Sequence, residues 1–276
     1  MRKLLGALVS TSLSVSCAFA ADMPLKAPPV PVCIWCGWYG GVNAGYANSR
    51  DSFSTASTPV PDATLGVLPG VTEGISALSS GNIPVGNKGF IGGAQAGYNW
   101  QSGNYLVGIE ADIQGLSQSG GSGTTASTAL VFGVPVTSTQ TATMSTSYLG
   151  TLRGRLGLLV TPTLLTYATG GLAYGGVRAS DTLFQTGTNG FIGSGSGMLS
   201  DTRAGWALGG GMEWMFAPRW SAKAEYLHYD LGTGSFITTP VGTPTSISFS
   251  GAAYQTNVSS AHFQGDLVRA GINYHF

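Results

Sequence analysis

Nine ionisable side chains hold most of the chemistry this sequence can offer. Glu110, Asp112, Glu213 and Glu225 are the acids, and Arg153, Arg155, Arg203, Lys223 and Arg269 the bases. Two carboxylates at the spacing of Glu110 and Asp112 share one face of a strand, which is a geometry a general acid/base pair can use. All nine, however, fall on the polar parity of alternating segments, so the carboxylates face five cations. Charges gathered in an enclosed place bridge one another, because a buried charge without a partner is costly. The pattern predicts a nearly balanced structural network, not an acid/base site.

Two further constellations are weaker. Cys33 and Cys36 form a C-x-x-C, read here as a local disulfide of an oxidising compartment. Gly37 stands where a haem-attachment motif needs histidine, and no second cysteine pair exists to complete a zinc site. The Gly/Ser run 193–197 lacks the strand-to-helix setting of a nucleotide loop. The run 81–86 is followed by Asn87 where a phosphate-binding loop needs lysine. Both read as flexible outer loops. No catalytic residue, metal ligand or cofactor is expected.

Eight alternating segments must position these residues, at 38–47, 89–100, 105–116, 143–160, 164–178, 202–216, 220–230 and 263–276. In the third, Tyr105, Val107, Ile109, Ala111 and Ile113 face one way, and Glu110, Asp112 and Gln114 the other. The phase of the fifth cannot be assigned, since glycines and aliphatics occupy both parities. Gaps at 101–104, 161–163 and 217–219 are short. The others, 48–88, 117–142, 179–201 and 231–262, are long and predict four outer loops.

Composition names the solvent. Charged residues are 9% of the chain, against about 25% in soluble domains, and 43 of 276 residues are glycine. Past the amino terminus no stretch approaches the ~18 apolar residues of a membrane helix. Lipid admits only helices and closed barrels, so the chain reads as all-β: an eight-stranded, antiparallel, up-and-down transmembrane β-barrel with four long extracellular loops and short periplasmic turns. Trp38, Trp100, Tyr105, Trp214, Phe216, Trp220, Tyr274 and Phe276 form a periplasmic aromatic belt. Tyr46, Phe90, Tyr148, Trp206, Tyr226 and Phe263 form an outer one. A secreted β-sandwich also alternates, but its polar parity would not collect glycines as a crowded lumen does.

The amino terminus reads as an export signal over 1–20. Arg2 and Lys3 are followed by an apolar run and a small-residue cleavage site, Ala18-Phe19-Ala20, so cleavage falls between Ala20 and Ala21. A Pro-rich periplasmic leader, 21–37, and the barrel, 38–276, follow. Without Arg2 and Lys3 the chain carries 10 basic and 12 acidic residues, which gives no reason to expect nucleic acid.

The blocks Trp38-Tyr39-Gly40-Gly41-Val42-Asn43-Ala44-Gly45-Tyr46, Gly170-Gly171-Leu172-Ala173-Tyr174-Gly175 and Ala224-Glu225-Tyr226-Leu227, and the ending Val268 to Phe276, resemble the Omp25/Omp31-like outer-membrane proteins of alphaproteobacteria. These are porin-family or surface-antigen barrels. The ending also resembles an outer-membrane assembly signal, with Arg269, Gly271, Tyr274 and Phe276 at the matching positions. The resemblance implies a Gram-negative outer-membrane location, with outer-membrane lipids, lipopolysaccharide and the insertion machinery as partners. A ligand at the loops is left unidentified.

His228 and His262 come close if the last two segments pair. A barrel lipid A deacylase would need a serine two residues after such a histidine, where this chain has Asp230 and Gln264, so enzyme is set aside. The sequence therefore predicts a structural, surface-displaying barrel whose lumen is plugged by paired charges. The alternatives are a small porin and a receptor for haem or another ligand.

Overall fold

The alternation builds strands. The computed structural model describes residues 33–62, 68–118, 120–242 and 253–276. The signal segment, its cleavage site at Ala20 and Ala21, and the leader up to residue 32 lie outside the described residues. Nine strands follow in order: β1 (Gly37–Pro59), β2 (Gly81–Ser102), β3 (Tyr105–Gln118), β4 (Gly121–Val131), β5 (Val134–Thr161), β6 (Leu164–Gly187), β7 (Ile192–Ala217), β8 (Trp220–Gly242) and β9 (Ala253–His275). Among the described residues a short helix, α1 (Val71–Ala77), lies between β1 and β2. All pairings are antiparallel. The sheet order is β3-β2-β1-β9-β8-β7-β6-β5-β4, and β3 also pairs with β5, which closes the wall on itself. The last strand meets the first, with Val42 opposite Ile272 and Ala44 opposite Ala270.

Both faces follow the parity expected of them. Trp38, Val42, Ile109, Leu156, Trp214 and Ile272 point outward and are exposed, while Asn43, Glu110, Arg155, Glu213 and Asn273 point inward and are buried. The parity of β6 is decided here: Leu165, Tyr167, Thr169, Ala173 and Val177 face the lumen. Phe263 corrects the outer belt, because it is fully buried inside the barrel. It shares the odd, inward parity of β9 with Leu267 and Arg269. Tyr46 and Phe90 pair edge-on at 5.6 Å, and Trp220 and Tyr274 at 5.1 Å, on the outward face at opposite ends.

The segments expected to be loops are largely strand. β1 runs on to Pro59, β5 begins at Val134, and the glycine-rich 81–86 and 193–197 lie inside β2 and β7 and not in flexible loops. Strand lengths reach 28 residues, whereas a tilted crossing of the membrane needs only about 9 to 11. The upper wall alternates Ser and Thr against small or polar residues, so its period is invisible to hydropathy. β4 and β5 form a hairpin over Phe132 (φ 51°) and Gly133 (φ 78°), both left-handed, as a two-residue turn matching strand twist requires.

One irregularity re-aims a wall. Between Thr146 and Tyr148 the β5–β6 register slips, and the inward parity changes from even (Ala142, Met144, Thr146) to odd (Leu149, Thr151, Arg153).

Candidate functional site

The lumen is filled in layers from the end where the short turns lie. The first layer is apolar: Trp35, Leu106, Leu159, Leu165, Tyr167 and Met215. Cys33 and Cys36 are joined by a disulfide, and the loop it closes carries Trp35 into the barrel mouth. There the indole N–H of Trp35 donates to the carbonyl of Pro162 at 3.0 Å, and the ring meets His275 edge-on at 5.5 Å.

The charge layer lies next. Arg153 reaches three carboxylates, Glu110 at 2.6 Å, Asp112 at 2.8 Å and Glu225 at 2.9 Å. Lys223 donates to both oxygens of Glu110, at 2.8 and 2.9 Å. Arg269 bonds Asp112 at 2.8 Å and Glu225 at 2.7 Å. Arg155 pairs with Glu213 at 2.7 Å, lies over the ring of Tyr167 at 4.2 Å and donates to the hydroxyl of Tyr39 at 2.9 Å. Tyr39 in turn donates to Glu110 at 2.7 Å. Glu213 accepts from Ser221 and from Asn273.

The layer therefore holds four carboxylates against four cations, each fully or almost fully buried. Arg203 corrects the expected set. It shares the inward parity but sits far up β7, partly exposed, where it bonds Asp201 at 3.6 Å and the carbonyl of Thr233 at 2.6 Å. Glycine makes room for the rest: a side chain at Gly108 would collide with Asn99 and crowd the stem of Arg155.

Above the charges is an apolar belt that includes Phe53, Ile91, Met144, Leu149, Leu227, Phe263 and Leu267. A polar layer follows. Asp181 accepts from Gln140 at 3.0 Å, Thr238 at 2.9 Å and Ser259 at 3.0 Å. Gln185 donates to Ser79 at 2.6 Å. The far end is covered by α1, whose Ile75 packs with Val131, Val136, Leu183, Phe191 and Tyr254. Asp62 holds the start of α1 by accepting from the backbone of Gly70 at 2.6 Å and of Thr72 at 3.0 Å, and from the Thr72 hydroxyl at 2.7 Å. Those bonds lower its pKa to about 2, led by the Thr72 hydroxyl.

Sequence reasoning passed over Tyr39, Tyr167, Ser221, Asn273 and His275. The inward parity of Tyr39, Ser221, Asn273 and His275 was legible, that of Tyr167 was not because its segment had no assignable phase, and which of them touch a charge depends on the stagger between strands. The Asp181 layer was hidden because its residues fell in stretches read as loops. His228 and His262 do lie on paired strands, yet each has its own partners: His228 meets Asp266 at 3.0 Å, while His262 meets Thr233 at 2.9 Å and Asp230 at 3.6 Å. Among the described residues no group of three His, Cys, Asp or Glu is placed to hold a metal ion. Of the carboxy-terminal set, Arg269 enters the charge layer, Gly271 lies against Asn43, and Tyr274 and Phe276 face outward, their rings 5.2 Å apart.

Comparison with known proteins agrees with this architecture. The chain is 35% identical over 245 residues to the 31 kDa outer-membrane immunogenic protein of Brucella melitensis, which covers 86% of this chain and 90% of the relative, and equally to that of Brucella suis. It is 30% identical over 155 residues to a 22 kDa outer membrane protein of Rhizobium leguminosarum bv. viciae, covering 54% of this chain and 59% of that one. Among solved structures, the outer membrane protein OprG of Pseudomonas aeruginosa aligns at a TM-score of 0.39 and 12% identity, over 87% of this chain and 97% of that one. The family model for the outer membrane protein beta-barrel domain matches residues 6–276, and the chain belongs to that family, as an Omp25/Omp31-like protein of the Gram-negative outer membrane.

Proposed function

We propose that eight of the nine strands cross the membrane, and that the protein is a structural barrel that displays its far end on the cell surface. β4 is the strand left out, for it pairs only with β5 above the level where β3 takes over. The short-turn end faces the periplasm, following the sidedness of bacterial barrels, and the α1 end faces outward. A strand of 23 residues tilted by about 45° rises about 50 Å, against a hydrocarbon core of about 30 Å, so roughly the upper third stands clear of the lipid. The immunogenic naming of the Brucella relatives fits a displayed upper wall.

The observation that carries this reading is the closure of the lumen. Arg153 alone ties three strands by binding Glu110, Asp112 and Glu225, and apolar layers close both sides of it. An eight-stranded barrel is just wide enough for its own side chains to fill. Charges so bridged neither pass ions nor exchange protons with a substrate, and the reading is non-enzymatic. The β-barrel insertion machinery is the partner that reads Arg269, Gly271, Tyr274 and Phe276. Single-channel recording in planar bilayers tests the proposal: long silent traces are expected, and large stable conductance steps from the unaltered protein would replace it with the small porin. A hemin titration of the unaltered protein against His228→Ala and His262→Ala tests the ligand-receptor alternative, and no saturable binding is expected.

A further inference from the structure

On β5, β6 and β7 the outward face changes character over a few residues. Below the change stand Leu152, Leu172, Trp206 and Leu208, all about half exposed. Above it stand Ser145, Arg178, Ser180, Ser200 and Thr202, with Met198 opposite Ser180 as an exposed apolar exception. Such a switch from apolar to hydroxyl-bearing wall marks the boundary between hydrocarbon and headgroups. A groove of about 430 Å³ lies at this boundary, lined by Ser147, Tyr148, Arg178, Ser200, Asp201 and Thr202.

The groove is built by register. Ser145, Arg178 and Ser200 stand in one row across the three strands, so the guanidinium stem is flanked by hydroxyls. Tyr148, Gly176 and Thr202 form the row beneath. The slip in β5 at Ser147 puts Tyr148 there. Gly176 lets its ring lie flat over the middle strand, since a Cβ would stand 2.5 Å from the ring edge, and the Tyr148 and Thr202 hydroxyls meet at 3.1 Å.

Charge is left over. Among the described residues, Arg50, Lys88 and Arg178 are the cations on the outward wall near this level. Arg50 is tied to Asp266 at 3.1 Å, whereas Arg178 has no ion-pair partner among the described residues. Asp201, the one carboxylate in the groove, is engaged by Arg203 at 3.6 Å and by the backbone N–H of Thr202 at 2.8 Å.

We propose that this groove seats a phosphate of an outer-leaflet glycolipid, with Arg178 as its cation. Arginine matches a phosphate with two parallel N–H donors, and Ser147, Ser200 and Thr202 supply neutral donors around it. Two rows below it on the same outward wall, past Tyr174, stand Leu152, Leu172 and Trp206, so a phosphate carrying acyl chains gains apolar contact that a free phosphate does not. The inference rests on the outward sidedness proposed above.

The test is binding of bis-phosphorylated lipid A to the full-length barrel purified in detergent, with heat-modifiable migration checked for every variant. Arg178→Gln is expected to weaken binding about tenfold or more, the scale of one charge-assisted pair, while Arg178→Lys recovers part of it and Arg50→Gln leaves it unchanged. Dephosphorylated lipid A should bind the unaltered protein as weakly as Arg178→Gln binds the phosphorylated form, and excess inorganic phosphate should not compete. Equal affinity of Arg178→Gln and the unaltered barrel overturns the site, and so does loss confined to Arg50→Gln. Full competition by inorganic phosphate overturns the lipid as ligand. Sidedness is read separately from labelling of Ser200→Cys in intact cells by an impermeant maleimide; absence of labelling defeats the orientation, while the detergent binding result still judges the groove itself.

Discussion

Glu110 and Arg153 stand directly opposite each other on β3 and β5 and close to 2.6 Å, at the junction where the strand ladder skips β4. The cross-strand pair thus joins neighbouring strands of the wall, and the same guanidinium crosses the lumen to Glu225 on β8 at 2.9 Å. One side chain therefore serves both wall and plug. The lumen is closed by the same contacts that hold the wall in register.

Neutralising Arg153 and Arg155 together should open this arrangement. Glu110, Asp112, Glu213 and Glu225 would each lose a buried partner, and removal of one member of such a pair costs about 3–5 kcal/mol. Urea titration of the double variant Arg153→Gln, Arg155→Gln in lipid should show a lower midpoint, and planar bilayers should show raised leakage. Removal of the β4–β5 hairpin should not raise leakage.

Opposite faces of β3 should respond differently to charge. Ile109 is half exposed on the outward wall, so Ile109→Lys puts a cation into lipid and should cost roughly 2–4 kcal/mol. Glu110→Gln should cost less than this, and less than the ~3–5 kcal/mol of an uncompensated buried charge, because Arg153, Arg155 and Lys223 each keep another carboxylate and the amide keeps an acceptor. Refolding yields and urea midpoints in vesicles rank the two; a Glu110→Gln loss well beyond that of Ile109→Lys would invert the proposed lipid and lumen faces.

Deleting Phe276 should reduce insertion sharply. Its ring is three-quarters exposed on the outward face, and its N–H donates to the carbonyl of Trp38 at 3.0 Å, where the last strand closes on the first. The amount of protease-resistant, heat-modifiable protein in outer membranes measures this, and an unchanged yield counts against Phe276 as part of the assembly signal.

Acidity should act on the far end through Asp62. Hydrogen bonds hold its folded pKa down to about 2, below the ordinary carboxylate value, so its support for α1 is present above about pH 4 and is lost as pH falls from 4 toward 2. Asp62→Asn removes that dependence. Protease cutting near α1 should rise below pH 4 in the unaltered protein and stay level in the variant; identical pH profiles would contradict the assignment.

Residue order alone tells which side chains face lipid and which face the lumen wherever hydropathy contrasts between parities. Ile109 against Glu110, and Trp214 against Glu213, are enough for that, because a strand has period two and no bulge interrupts it at those positions. It also determined the short turns and the aromatic belt around them. Where both parities are polar or small, as in 179–201 and 231–242, the same period carries no hydropathy signal, and strands looked like loops. Phe263 lies on the parity of Arg269, so its inward turn follows from the same period, whereas the reset of parity at Ser147 in β5 and the distance of Arg203 from the four cations sharing its face emerge only from the folded wall. The reset comes from a bulge, and the distance of Arg203 from the stagger of each strand against its neighbours, which sets the height of a side chain in the barrel. Parity says which way a residue points; register alone says what it meets.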